Sequence, residues 1–226
     1  MNVLDHVAID RSSTAERVAC ALRDGLFDGR LAPGTPLREV DLATTLGVSR
    51  GTAREALQLL VSEGLLTRQP HRGVIVKALS AADVEDLFRA RHVLEAGAAA
   101  AATPAGVAAL RAAFAAYTSA LQNDDPRTIT DAHIAFHASL IGLAGSPRLS
   151  ALGRSLLGDL RLAFATIERQ QPDPLHELAS HRRLLETIEV GDVTAALNEI
   201  RDHLDHGAEP LLHALLRSRP KKRSTE

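Results

Sequence analysis

Apolar residues first fall into a helical rhythm after Ser13, where Val18, Leu22 and Leu26 recur four apart and predict an amphipathic helix. Ser13 is placed to cap that helix, with Glu16 able to reciprocate three positions on, and Gly29 with the Ala32-Pro33-Gly34 turn stops it. A short second helix fits Arg38 to Leu46, with Leu42 and Leu46 on one face. Gly47 supplies a tight turn, Ser49 caps a third helix, and that helix runs to about Gly64. Beyond it LLTRQ and GVIVK carry strand propensity on either side of Pro70-His71-Arg72-Gly73, the pattern of a β-hairpin. Three helices and a hairpin predict a winged helix-turn-helix over residues 1–79.

No strand pattern appears after Ser80, which with Asp83 caps the next helix. Caps and breakers predict about six helices, over 81–102, 104–122, 127–143, 147–171, 175–190 and 192–217. The breaks fall at Thr103-Pro104, Asn123 to Pro126, Gly145-Ser146-Pro147, Pro172 to Pro174 and Gly191-Asp192. Connections this short predict an antiparallel bundle, so the fold class is mainly α: a winged helix-turn-helix followed by an all-α domain at 80–217. The chain ends in RSRPKKRSTE, and 218–226 reads as a basic, disordered tail.

Composition narrows the class. With 45% hydrophobic and 24% charged residues among 226, the chain can bury ordinary cores without stapling. A single cysteine, Cys20, excludes an internal disulfide, and its apolar surroundings predict a buried thiol. The opening MNVLDHVAIDRSS lacks an apolar export segment, and no run is apolar enough for a membrane span, so a cytoplasmic protein is expected.

The net charge of −2 argues against a general nucleic-acid coat, but the charge is uneven along the chain. Residues 1–79 hold ten basic and nine acidic side chains, whereas 80–216 hold eleven and eighteen. The acidic middle of the chain is therefore excluded as a DNA face.

In the third helix Arg50, Arg54 and Gln58 lie four apart on one face, opposite Ala53, Leu57 and Leu60. One face packs and the other is free to read DNA, because an arginine fork matches guanine O6 and N7 in the major groove. Ser49 and Thr52 stand at the helix N-terminus, where backbone N–H groups favour phosphate. Arg38 is placed for a phosphate or a base edge, and the hairpin tip His71-Arg72-Gly73 for the adjacent minor groove.

The run from Leu37 to Val76, LREVDLATTLGVSRGTAREALQLLVSEGLL followed by RGVIV, resembles the DNA-binding domain of the GntR superfamily. The resemblance implies operator contacts for Arg38, Arg50, Arg54 and the wing Gly73. Gly51 departs from the family's usual proline or threonine before the second recognition arginine.

Eight of ten histidines follow residue 90. His133 and His137 share a helix face, and His181 and His203 on two later helices can complete a metal site in an antiparallel bundle, although each alone also reads as a core or surface residue. His176, His206 and His213 have no such partner. The segments HIAFHASLIGLAGSPRL, HRRLLETIEVGDVTAAL and IRDHLDHG resemble the metal-binding form of the FCD ligand domain, of the fatty-acid-regulator branch. That resemblance implies His137, His181 and His203 as ligands; the family's aspartate position holds His133, a ligand on chemical grounds. Asp131 is off that face. An all-imidazole set favours zinc or nickel over magnesium or calcium and leaves charge for an anionic effector.

LFRARHVLEAGAA resembles the family's first C-terminal helix, in which an arginine is followed four residues later by a glutamate, here Arg91 and Glu95. Arg91 is the candidate contact for an effector carboxylate, and the same spacing also makes an ordinary ion pair. The expected protein is a homodimeric regulator, a repressor, that binds double-stranded operator DNA and is gated by a small organic acid and a divalent metal. A metal-dependent enzyme on the bundle, or a regulator with a purely structural metal, are the alternatives. The enzyme lacks a motif: no HExxH or phosphate loop is present, and Glu168, Glu177 and Glu186 show no telling spacing to the histidines.

Overall fold

The computed structural model describes residues 13–70, 72–123, 125–166 and 174–217. His71, Glu168 and the tail at 218–226 lie outside the described residues, as does the side chain of His176. The chain divides into two compact units, Met1–Lys77 and Ala78–Glu226.

In the first unit Ser13 Oγ accepts from the Glu16 N–H at 3.1 Å and opens α1 (Thr14–Phe27). A two-residue strand, β1 (Pro36–Leu37), precedes α2 (Glu39–Leu46), and α3 (Arg50–Ser62) follows. The α2–α3 turn is made by Gly47 at φ 65°, a left-handed conformation that favours glycine. Ser49 Oγ then caps α3 by accepting from the Thr52 N–H.

Strands β2 (Leu66–Gln69) and β3 (Gly73–Val76) form the expected antiparallel hairpin, with Thr67 opposite Ile75. The sheet has a third member that the hydrophobic pattern did not predict: β1 pairs with β3, and the order is β1-β3-β2. Two residues are too few for a period-two signal. The core joins Val18, Leu22 and Leu26 of α1 to Ala53, Leu57 and Leu60 of α3, and Leu66 and Ile75 close it from the sheet.

Two details depart from expectation. Cys20 is exposed, because the buried side of α1 is the Ala15–Val18–Ala19–Leu22–Leu26 face and position 20 falls outside it. The proposed stripe of α2 is not buried, and Leu46 is 41% exposed.

Among the described residues six α-helices build the second unit: α4 (Ala81–Ala100), α5 (Pro104–Ala120), α6 (Pro126–Ile141), α7 (Pro147–Thr166), α8 (Pro174–Glu189) and α9 (Val193–Arg217). Ser80 and Asp83 form a complete capping box at the start of α4. Thr103 and Asp125 cap α5 and α6, each with proline in the first turn. One contiguous core runs through Leu87 and Phe88 of α4, Phe114 of α5, Phe136 and Leu140 of α6, Leu160 of α7, Leu184 of α8 and Ile200 of α9. Helix α4 packs against α9, α7 and α6, while α5 packs against α6 and α8. This arrangement aims α4, α6, α8 and α9 at a shared interior. Among the described residues no helix is long and apolar enough to cross a membrane.

Candidate functional site

The first unit presents the exposed face of α3. Arg50, Arg54 and Gln58 all lie on it, while Ala53, Ala56, Leu57 and Leu60 are buried on the other side. Arg54 is not a free side chain: its Nε donates to both Glu39 carboxylate oxygens at 3.0 Å, and Nη2 donates to Oε2 at 2.9 Å. Those hydrogen bonds hold the Glu39 carboxyl below its usual range. Glu39 thereby aims the guanidinium from the first turn of α2, a role no local spacing announced.

Arg38 stands at the N-cap of α2 and is exposed. Thr52 Oγ1 lies 2.8 Å from Ser49 Oγ, so both hydroxyls tie the N-terminus of α3. In the wing, the Arg72 Nη1 donates to Gln69 Oε1 at 3.3 Å, and Gly73 turns the chain into β3 at φ 75°.

In the second unit His133 and His137 project from α6, His181 from α8 and His203 from α9 into one cluster. One ligand-capable nitrogen from each lies within 4.8 Å of the others. His137 Nε2 is 3.1 Å from His133 Nε2 and 3.2 Å from His203 Nε2. His137, His181 and His203 are buried and His133 is half-buried. Phe136 and Tyr117 wall the cluster, with ring centroids 4.4 and 5.1 Å from His181.

Burial pushes all four imidazoles well below their ordinary pKa; neighbouring histidines add repulsion at three of them, and the Arg91 charge at all four. The rings are therefore neutral near pH 7, the state in which imidazole ligates a metal. Both ring nitrogens of His181 are buried with no hydrogen-bond partner among the described residues. Such a group is costly unless something else satisfies it, and a divalent cation accepting four nitrogen lone pairs fits the donor set.

Arg91 and Glu95 of α4 are 2% and 0% exposed. Arg91 Nε donates to Glu95 Oε1 at 2.8 Å, and Glu95 Oε2 lies 3.1 Å from His137 Nδ1. Arg91 Nη2 is buried and has no hydrogen-bond partner among the described residues. The Arg–Glu ion pair is thus present, but with one guanidinium nitrogen left over.

Sequence spacing missed Glu177. Its Oε2 lies 3.8 Å from His203 Nδ1, and burial raises its pKa. It shares a polar cleft with Ser180, Arg183, Glu199, Asp202, His203 and His206. Ser180 Oγ lies 3.2 Å from His203 Nδ1. Asp131 stays outside the cluster and pairs with Arg161. His206 donates from Nδ1 to the Asp202 carbonyl at 2.7 Å, and His213 is exposed.

A winged helix-turn-helix joined in one chain to an all-helical unit is the organisation of a DNA-binding regulator. The family described as "Bacterial regulatory proteins, gntR family" matches residues 14–76, and the FCD domain matches residues 86–206. The chain belongs to the GntR family of bacterial transcription regulators and carries an FCD domain. It is 31% identical over 209 residues to the "Probable D-xylose utilization operon transcriptional repressor" of Paenarthrobacter nicotinovorans, covering 87% of this chain and 90% of that protein. The gluconate operon transcriptional repressor of Bacillus licheniformis is 38% identical over 87 residues, which is 38% of this chain and 35% of the relative. A GntR regulator from Rhodococcus sp. RHA1 has a similar solved structure, with a TM-score of 0.79 and 29% identity over 90% of this chain and 99% of that one.

Proposed function

We propose that this regulator is a cytoplasmic repressor that binds a palindromic operator as a homodimer and is released by a small organic acid held with a divalent metal in its helical unit. The observation that carries the reading is the convergence of His133, His137, His181 and His203 within 4.8 Å in the unit that holds the buried Arg91. Four neutral imidazoles are borderline-soft ligands without charge, a set that suits Zn²⁺ or Ni²⁺ and ill suits Mg²⁺ or Ca²⁺. Bound there, the ion supplies a Lewis-acidic point of attachment for a carboxylate.

The chain's own contribution to the acid is Arg91, whose Nη2, without a partner among the described residues, is a buried donor for a carboxylate oxygen. On DNA, Arg50 and Arg54 read base edges, Ser49 and Thr52 present the N-terminus of α3 to phosphate, Arg38 contacts the backbone or a base, and the wing carries His71, Arg72 and Gly73 into the minor groove. The names of relatives support repression, since those in Paenarthrobacter and Bacillus are described as repressors of sugar and gluconate operons. The effector acts only through its unequal affinity for the DNA-competent and released states, typically ~1–3 kcal/mol of coupling.

The test is a thermal-shift screen of chelator-treated full-length protein against small carboxylic acids, with and without Zn²⁺ or Ni²⁺, paired with operator binding. A metal-dependent shift by one class of acid that also weakens operator binding is the expected result. Stabilisation by metal alone, with operator affinity indifferent to every acid, would make the metal purely structural; no response to either metal would sink the site altogether.

A further inference from the structure

We infer that Glu95 is the positioning residue of the histidine cluster: it fixes His137 with its proton on Nδ1 and so turns the Nε2 lone pair into the centre of the four rings. This rests on the reading of the four histidines as a metal site.

The inference follows from how the two Glu95 oxygens are divided. Oε1 accepts from Arg91 Nε at 2.8 Å, and Oε2 faces His137 Nδ1 at 3.1 Å, with Glu95 wholly buried. A carboxylate paired to a guanidinium can only accept, so the nitrogen facing Oε2 must carry the hydrogen. The single lone pair of the ring then sits on Nε2, which points at His133 Nε2 and His203 Nε2, 3.1 and 3.2 Å away. The opposite tautomer would place an N–H in the centre and remove His137 from any ligand set.

An arginine and a carboxylate frequently form a two-bond fork that uses both oxygens, as Arg23 does with Glu63. Here only Arg91 Nε bonds to Glu95, Nη2 is buried without a partner among the described residues, and the second oxygen faces His137. Arg91 in turn holds Glu95 in place: the two are i, i+4 on α4, on the same buried side as Phe88 and Ala98. The result is a carboxylate–histidine pair across α4 and α6, the outer-shell arrangement that fixes imidazole orientation at metal sites.

Glu95→Gln is the decisive variant, because it keeps size and shape but has one acceptor oxygen where Glu95 turns two, one to Arg91 and one to His137. Zn²⁺ affinity of full-length wild type, Glu95→Gln and Glu95→Asp would be measured by chelator competition. The His137 tautomer would be read from imidazole nitrogen shifts in the metal-free proteins. The expected result is roughly 10- to 100-fold weaker Zn²⁺ binding in Glu95→Gln, with affinity largely restored in Glu95→Asp. His137 should be protonated on Nδ1 in wild type and lose that preference in Glu95→Gln. An unchanged affinity in a folded Glu95→Gln, or a wild-type His137 protonated on Nε2, would overturn the inference. Should wild type bind neither Zn²⁺ nor Ni²⁺, the metal reading fails by itself, and the tautomer in the metal-free protein still decides the role of Glu95.

Discussion

His137 Nε2 and His203 Nε2 stand 3.2 Å apart although 66 residues separate them in the chain. They lie on α6 and α9, and neither ring can offer the other more than one hydrogen. A third ring, His181, has no hydrogen-bond partner at either nitrogen among the described residues.

That arrangement predicts a stabilising response to metal. Chelation should lower the melting temperature of the full-length protein, and Zn²⁺ or Ni²⁺ should restore it. At 100 times its dissociation constant a ligand adds ~2.7 kcal/mol, a rise of roughly 5–10 °C for a chain of this size. His137→Ala or His203→Ala should abolish the metal-dependent rise, as followed by calorimetry.

The metal-free protein should lose stability on mild acidification. The four imidazoles have folded pKa values well below the ordinary 6.5, chiefly through burial, so below that pH the unfolded chain binds more protons. Their stabilisation is complete above about pH 6.5 and drains away below it, each ring contributing up to ~1.4 kcal/mol per pH unit. Glu177, with its pKa raised, works in the opposite direction as a single group. Denaturant titrations at pH 7.5 and 5.5 should show the drop, and equal stability at both would contradict the burial of the four rings.

On the DNA side, Arg50→Ala and Arg54→Ala should each weaken specific operator binding by ~1–3 kcal/mol. Glu39→Ala removes the clamp on Arg54, whose three hydrogen bonds run 2.9–3.0 Å. It should relax discrimination between the selected and scrambled duplex while leaving affinity for the scrambled duplex equal or higher, since a negative charge near phosphate is lost. Fluorescence anisotropy on duplexes selected from a random pool reads both quantities.

Gly106→Ala tests the packing of the α5 start against Leu143, just beyond the end of α6. A Cβ at this position would lie 2.5 Å from the Leu143 carbonyl oxygen, a backbone atom with no freedom to retreat. Thr103 pins the same carbonyl, through its N–H at 2.9 Å and its hydroxyl at 3.0 Å. The substitution should destabilise by ~1–3 kcal/mol, seen as a melting temperature several degrees lower; an unchanged melt would show that the α5 start can shift.

Local chemistry made much of this protein legible in its sequence. The caps at Ser13, Ser49 and Ser80, the left-handed Gly47 and the apolar stripes of α1 and α3 are short-range features, and each appears where the pattern predicted it. The exposed row Arg50, Arg54 and Gln58 follows from helical periodicity alone. The four histidines were legible as candidates through residue type and the i, i+4 spacing of the first two.

Only the tertiary structure decided the rest, because it depends on which helix faces meet. Strand β1 became visible once β3 offered it a partner, and Cys20 proved exposed because the buried arc of α1 is narrower than its apolar stretch. Glu39 meets Arg54 across fifteen residues, Glu95 meets His137 across forty-two, and Glu177 approaches His203 from α8. A charged side chain carries no periodic signature of its partner; that partner is chosen when the helices pack and burial leaves each polar atom only the neighbours within about 3 Å.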